Sequence, residues 1–444
     1  MHQLLPVPPG DGAAPARPAR RHFLRAGPGL AASVAAAASL AVPALPARAA
    51  PGPSERWCAT WGTAPAGPPP SSSLQSFTSQ TLRLVVHTSI GGNRVRIRLS
   101  NEMGSPPLRI GAASIALRAS SSAVLQASLR ELSFGGQSAI TIPAGAPALS
   151  DPVDLAVPAQ SDLAISLYLP GGSQATTLHD MALTSSYVSP AGDYTSSIAM
   201  PVSRTITSWP FLTEVDVDGA APALVAIGDS LTDGARSTGN LNRRWPDCLA
   251  RRLQSALGAG GRIGVVNRGI SANLLLSDYA TAMVAGKDVL ERFDRDVLAT
   301  AGVRYLALLI GINDICYSPS SNPIPASDLI AGYRQVIARA HAREIAVIGA
   351  TLPPLEGFVY YTPAREAVRL AVNNWIRASG EFDGVADVEL ALRDPQNPTR
   401  IHAAYDCGDH LHPNDAGYQA IANAFPLAPF VSATTPPPDF LNRY

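Results

Sequence analysis

Two hydrophobic rhythms divide the chain. Over residues 57–217 apolar and polar positions alternate, as in Arg94-Val95-Arg96-Ile97-Arg98-Leu99 and Leu163-Ala164-Ile165-Ser166-Leu167-Tyr168-Leu169. Alternation turns one side of the backbone inward and the other outward, as in half-buried strands. Gly91-Gly92-Asn93, Gly135-Gly136, Pro143-Ala144-Gly145 and Pro170-Gly171-Gly172 punctuate the runs. Many short strands at this spacing predict an all-β sandwich of jelly-roll type.

From about Ala221 short apolar runs alternate with amphipathic stretches. Buried strands are expected at 223–227, 263–267, 303–310, 345–350 and 384–388. Helices are expected at 243–257, 289–300, 328–342, 363–379 and 415–425, with Ser327 capping the third and Pro363 opening the fourth. This order implies an α/β fold with a parallel sheet covered on both faces. In such sheets ligands bind at the carboxyl ends of the strands.

A length of 444 residues is enough for two to three domains, and 46% hydrophobic residues can fill sizeable cores. Lys+Arg and Asp+Glu both number 34, which argues against a nucleic-acid binder. Arg20-Arg21-His22-Phe23-Leu24-Arg25 precedes an alanine-rich run and Ala47-Arg48-Ala49, so residues 1–50 read as a twin-arginine signal peptide. That run is too short and too weakly apolar to span a bilayer, which needs roughly 20 apolar residues. No later segment is a spanning candidate. The expected product is secreted or periplasmic, with a β-sandwich over 51–218, an α/β domain over 219–432 and a Pro-rich tail over 433–444.

Four cysteines fit an oxidising compartment. Cys316 and Cys407 each lie two residues from a motif residue, Asp314 and Asp409. If those motifs meet, a Cys316–Cys407 disulfide would clamp their loops, and Cys58–Cys248 would tie the first domain to the second. No Cys/His metal spacing and no phosphate-binding glycine loop occurs, so neither a metal nor a cofactor is expected.

The chemistry lies in four stretches: Gly228-Asp229-Ser230-Leu231-Thr232-Asp233, Asn267-Arg268-Gly269, Gly311-Ile312-Asn313-Asp314 and Asp409-His410-Leu411-His412-Pro413. They supply a serine, a glycine N–H, an asparagine amide and a histidine with a carboxylate three residues before it. Acyl transfer needs these parts: nucleophile, base, base-orienter and oxyanion donors. Three of the stretches follow the first three expected strands, on one edge of the sheet.

The order and content of these stretches resemble the GDSL esterases, or SGNH hydrolases, over about residues 221–427. The resemblance implies a flavodoxin-like three-layer domain. It implies Ser230 as nucleophile, His412 as base and acid, and Asp409 as the carboxylate that orients it. It places the oxyanion among the Ser230 N–H, the Gly269 N–H and the Asn313 amide. The second stretch departs from many relatives, with Ala272 where they have glycine. His410, one residue from Asp409, is expected to point elsewhere. Asp229, Asp233 and Asp314 read as structural acceptors. Tyr360 and Tyr361, after the fourth strand, are candidates for the substrate pocket.

The expected activity is hydrolysis of carboxylic esters through an acyl-enzyme, with acetyl or short acyl groups on carbohydrate as the favoured substrate. A lipid ester, or an O-acyltransferase reaction on the same residues, would use the same parts. A carbohydrate-binding protein without catalysis is the alternative of another class.

Overall fold

The computed structural model describes residues 56–258, 262–279 and 283–431. The expected signal peptide and the Pro-rich tail lie outside the described residues. Among those described, no helix is long and apolar enough to cross a membrane.

The first half is a sandwich of two antiparallel sheets. One sheet orders Trp57–Gly62, Leu212–Asp218, Gly92–Ser100 and Val153–Val157, with Pro147–Leu149 also paired to Gly92–Ser100. The other is centred on the long strands Ser76–His87 and Asp162–Gln174, which pair from Asp162↔His87 onward. The alternation does what its period requires. Val95, Ile97 and Leu99 are fully buried, and with Leu82, Leu84, Ile165 and Leu167 they fill the space between the sheets. The outer face of the second sheet is covered too. Arg83 is buried there, with Nε on Ser166 Oγ at 2.9 Å and Nη1 on the Ser122 carbonyl at 2.6 Å.

The second half is a five-stranded parallel sheet. In chain order its strands are Ala223–Gly228, Gly264–Gly269, Val303–Leu309, Ala346–Ala350 and Gly384–Ala386. Their spatial order is second, first, third, fourth, fifth, the flavodoxin-like arrangement. Leu224, Val225, Ala226 and Ile227 are all buried, because helices cover both faces.

Two helix expectations are corrected. The expected helix over 289–300 is an α-helical turn, Val289–Phe293, followed by a π turn, Asp294–Leu298. Ser327 does not cap its helix, which begins at Ala326 after Pro325, and the Ser327 hydroxyl faces Asp328 instead.

The sandwich lies against the edge of the parallel sheet. The Val265 N–H on that edge donates to Ser89 Oγ at 2.8 Å, and the Ala59 N–H to the Ala301 carbonyl at 2.9 Å. An edge strand exposes unpaired backbone groups, and the sandwich takes up some of them here. Arg268 crosses the same seam to pair with Glu214, and both are buried. Trp61 and Trp209 meet edge to face at 5.0 Å, also buried.

The expected disulfides are not formed: Cys58, Cys248, Cys316 and Cys407 are all free thiols. Each has its own surroundings. Cys58 bonds the Ala59 carbonyl and Cys248 lies 3.1 Å from Arg251. Cys316 is sealed in the α/β core, whereas Cys407 sits partly exposed beside Asp409. Burial pushes the Cys58 and Cys316 thiols up to about 12.

Candidate active site

The first motif folds because Asp229 caps the short helix Ser230–Asp233, accepting the Leu231 N–H at 3.0 Å. Ser230 opens that helix, so its own N–H has no carbonyl one turn back to bond. Ser230 Oγ stands 2.8 Å from His412 Nε2. His412 Nδ1 stands 2.8 Å from Asp409 Oδ2. The other oxygen of Asp409 accepts the His412 N–H at 2.8 Å and the Leu411 N–H at 3.0 Å. Asn414 then caps the helix Asp415–Ala424, which anchors the turn.

Burial alone would raise the Asp409 carboxyl. The hydrogen bond and charge of His412, with the two backbone N–H groups, outweigh burial and hold it well below the usual carboxylate range. An ionised Asp409 keeps the proton on His412 Nδ1 and leaves Nε2 to accept from Ser230. His410 goes elsewhere: its backbone is left-handed at φ 67°, and its Nδ1 lies 2.7 Å from Asp406. Arg236, which no motif contains, places its exposed guanidinium 3.8 Å from Asp409.

The oxyanion side differs from the sequence expectation. The Gly269 N–H donates to Asn267 Oδ1 at 2.8 Å, so it is already engaged. Glycine is needed at 269 for another reason: a Cβ there would collide with the Asp233 backbone. Three residues on, Ala272 sits at φ 64° in a turn closed by the Asn273 N–H on the Ile270 carbonyl at 3.1 Å. Positive φ at such a turn position favours glycine. Ser271 on one side of it is bonded to Asp233 at 2.9 Å, and the Asn273 carbonyl on the other accepts the Asn313 amide at 3.0 Å. Among the described residues the Ala272 N–H donates to no protein acceptor. The departure at 272 was visible in the sequence; its meaning needed the bond made by Asn267.

The remaining motif acids stiffen the loops. Asp314 accepts the Leu275 and Leu276 N–H groups at 2.9 and 3.1 Å. Burial pushes Asp229 up to about 7 and Asp314 up to about 6. A carboxyl raised in the folded state holds a proton that the unfolded chain releases. Its stabilisation is complete below the unfolded value of 3.8 and is lost as pH rises through about 7. The Asp409 contribution runs the other way, but is lost only below the usual carboxylate range. Urea unfolding is therefore expected at a higher midpoint at pH 5 than at pH 8, and Asp229→Asn to shrink that difference. An unchanged difference in the variant would show that Asp229 does not carry it.

Tyr360 and Tyr361 are partly buried on the α/β core, and no hydrogen bond joins either ring to the Ser230–His412–Asp409 set. Tyr360 belongs to a row of rings. Tyr279 lies 4.9 Å from Tyr317, Tyr317 lies 5.6 Å from Tyr360, and Tyr360 lies 5.5 Å from Phe358. The row joins the loop after the second motif to the end of the third-motif helix and to the loop whose Gly357 backs onto His410.

With this geometry in place, comparison with known families is decisive for the α/β part: residues 226–420 match the model of the GDSL-like lipase/acylhydrolase family. The α/β part belongs to this family. The chain is thus an ester-hydrolysing enzyme of the GDSL, or SGNH, type. Among solved structures, an acetylxylan esterase from Geobacillus stearothermophilus is 24% identical, with 48% of this chain and 95% of that one covered and a TM-score of 0.36. An α/β hydrolase enzyme from the metagenome of Lake Arreo, Spain, is 26% identical, with 48% and 96% covered and a TM-score of 0.35. No curated protein matches the sequence. In the GDSL domain the match takes in all four motifs, from Gly228 through His412.

Proposed function

We propose that this GDSL enzyme hydrolyses short acyl esters, acetyl esters of carbohydrate above all, through an acyl-enzyme on Ser230. The observation that carries the reading is the continuous hydrogen-bonded line from Asp409 through His412 to Ser230 Oγ, 2.8 Å at each step. His412 takes the Ser230 proton as Oγ attacks the ester carbonyl, then gives it to the departing alcohol. Water repeats the sequence on the acyl-enzyme and releases the acid. The oxyanion is received by the Ser230 N–H, the Ala272 N–H and the Asn313 amide, with Ala272 in place of Gly269. Each such donor is worth about 10²–10³-fold in turnover.

Two features support a carbohydrate alcohol over a lipid. The row Tyr279, Tyr317, Tyr360 and Phe358 is partly exposed and offers an aromatic surface to a sugar ring of the alcohol. The exposed large apolar residues, such as Leu125, Val202, Val359 and Leu390, are widely separated along the chain. Single exposed apolar residues are ordinary on soluble surfaces. The organisation we propose is a sandwich up to residue 218, a hydrolase domain from 219 and export by the Arg20-Arg21 leader.

The test compares wild type with Ser230→Ala on p-nitrophenyl acetate, acetylated xylo-oligosaccharides and a long-chain triacylglycerol emulsion. Acetate release by wild type alone is expected. Equal hydrolysis by Ser230→Ala would defeat the mechanism, and faster cleavage of the emulsion would replace carbohydrate with lipid.

A further inference from the structure

The loop that carries Ala272 is held from outside the hydrolase domain. His179 ends the short sandwich strand Leu178–His179. Its Nδ1 lies 3.1 Å from the Ala64 carbonyl oxygen and its Nε2 lies 3.0 Å from Asp233 Oδ1. The two side chains of the pair are only 4% and 3% exposed, so water does not substitute freely for either. Asp233 closes the helical turn that Ser230 opens. Its second oxygen accepts both the N–H and the Oγ of Ser271, each at 2.9 Å. Met181, two residues beyond His179, adds a sulfur contact to the same Ser271 hydroxyl at 3.7 Å.

These bonds form one path: Ala64 carbonyl, His179, Asp233, Ser271, and then the Ala272 peptide. The far side of that turn is secured separately, by the Asn273 carbonyl on the Asn313 amide. Ala272 occupies a left-handed backbone position, which costs a residue with a Cβ and persists only where the surroundings impose it. Without the His179 ring, Asp233 Oδ1 would be buried with no donor. A buried carboxylate in that state rotates or draws in water. Rotation about the same carboxylate breaks a bond to Ser271.

We propose that His179 is a positioning residue for ester hydrolysis, reaching from the β-sandwich to lock Asp233 and so aim the Ala272 N–H at the oxyanion. The proposal rests on the reading of Ser230 as nucleophile and Ala272 as donor. It gives the sandwich a part in the reaction: it completes the oxyanion side of the site.

The experiment uses the full chain with His179→Leu, His179→Gln and Ser271→Ala, scaled to active sites titrated with an organophosphate. Turnover of p-nitrophenyl acetate and inhibition by an alkyl boronic acid, which forms a tetrahedral adduct on the serine, are read together. His179→Leu is expected to lower kcat per titrated site by about 10- to 100-fold, with KM within about twofold. Boronate affinity should fall by a similar factor. Ser271→Ala should show a smaller loss in the same direction. His179→Gln, whose amide can donate to Asp233, should recover most of the loss. A role in stability alone would reduce the number of titrated sites and leave kcat per site unchanged. The proposal is overturned if His179→Leu and Ser271→Ala both keep kcat per site and boronate affinity within about twofold of wild type. If His179→Leu does not accumulate as folded protein, Ser271→Ala decides by the same criterion. Failure of the underlying reading looks different: the organophosphate would not titrate wild type, or Ser230→Ala would hydrolyse ester as wild type does.

Discussion

Replacing His412 with alanine is expected to lower kcat on p-nitrophenyl acetate by a factor on the order of 10⁴, while His410→Ala changes it by less than about twofold. The two histidines flank Leu411, and each has a carboxylate on its Nδ1, Asp409 for His412 and Asp406 for His410. A histidine–carboxylate pair is therefore not what separates them. The difference lies at the other nitrogen. His412 Nε2 faces Ser230 Oγ at 2.8 Å, and the left-handed backbone at His410 turns that ring to the surface, where it is half exposed. On the proposed mechanism, removing His412 leaves the Ser230 hydroxyl without a base. Removing the His410 ring costs one hydrogen bond to Asp406, whose other oxygen still accepts the Gly408 and His410 N–H groups, and takes nothing from the reacting atoms. Steady-state kinetics on folded variants check this. A loss at His410 as large as at His412 would overturn the assignment of the base.

Much of the α/β part was legible because buried parallel strands are short apolar runs bounded by glycine or polar residues. The strand expected at 223–227 ends one residue from the observed Ala223–Gly228. The motif positions followed, since a residue just past such a strand lies on the carboxyl edge. Periodicity counts apolar positions only, and that is where it failed. Between 289 and 300 a polar residue, Asp296, is buried and paired with Arg292 at 2.8 Å and Arg295 at 2.7 Å, which an apolar count does not register. There the chain winds as a π turn rather than continuing an α-helix. The Cys316–Cys407 expectation failed for a related reason. Two loops can share a site while their cysteines face different media, Cys316 inward from the helix Ile312–Tyr317 and Cys407 toward the surface. Spacing also could not show that the Asn267 side chain folds back onto the Gly269 N–H. Nor could it show that a histidine 54 positions before Asp233 reaches it.

Arg268→Met is expected to destabilise the protein by about 3 kcal/mol, measured by urea unfolding. Arg268→Met combined with Glu214→Leu should restore part of that loss. Arg268 is buried at the seam, with its guanidinium on Glu214, on the Thr63 carbonyl and on the Thr213 carbonyl at 2.9 Å. Breaking a buried pair by removing one partner typically costs about 3–5 kcal/mol, because the other charge stays buried. Here the cost falls at the lower end, since Arg98 still lies 2.9 Å from Glu214. The double replacement removes both buried charges of the pair, and replacing a whole buried pair with apolar residues is often neutral. Full restoration is not expected, because Arg98 then loses its carboxylate. Arg292 separates the effect on folding from the effect on chemistry. It holds the Arg268 carbonyl, not the side chain, at 2.7 Å and the Gly228 carbonyl at 3.0 Å. The strand ends that carry the first two motifs therefore keep their support when the Arg268 side chain is gone. The variant should lose stability while keeping kcat. Loss of kcat without loss of stability would instead place Arg268 in the reaction, although its guanidinium bonds only Thr63, Thr213, Glu214 and Thr300 among the described residues.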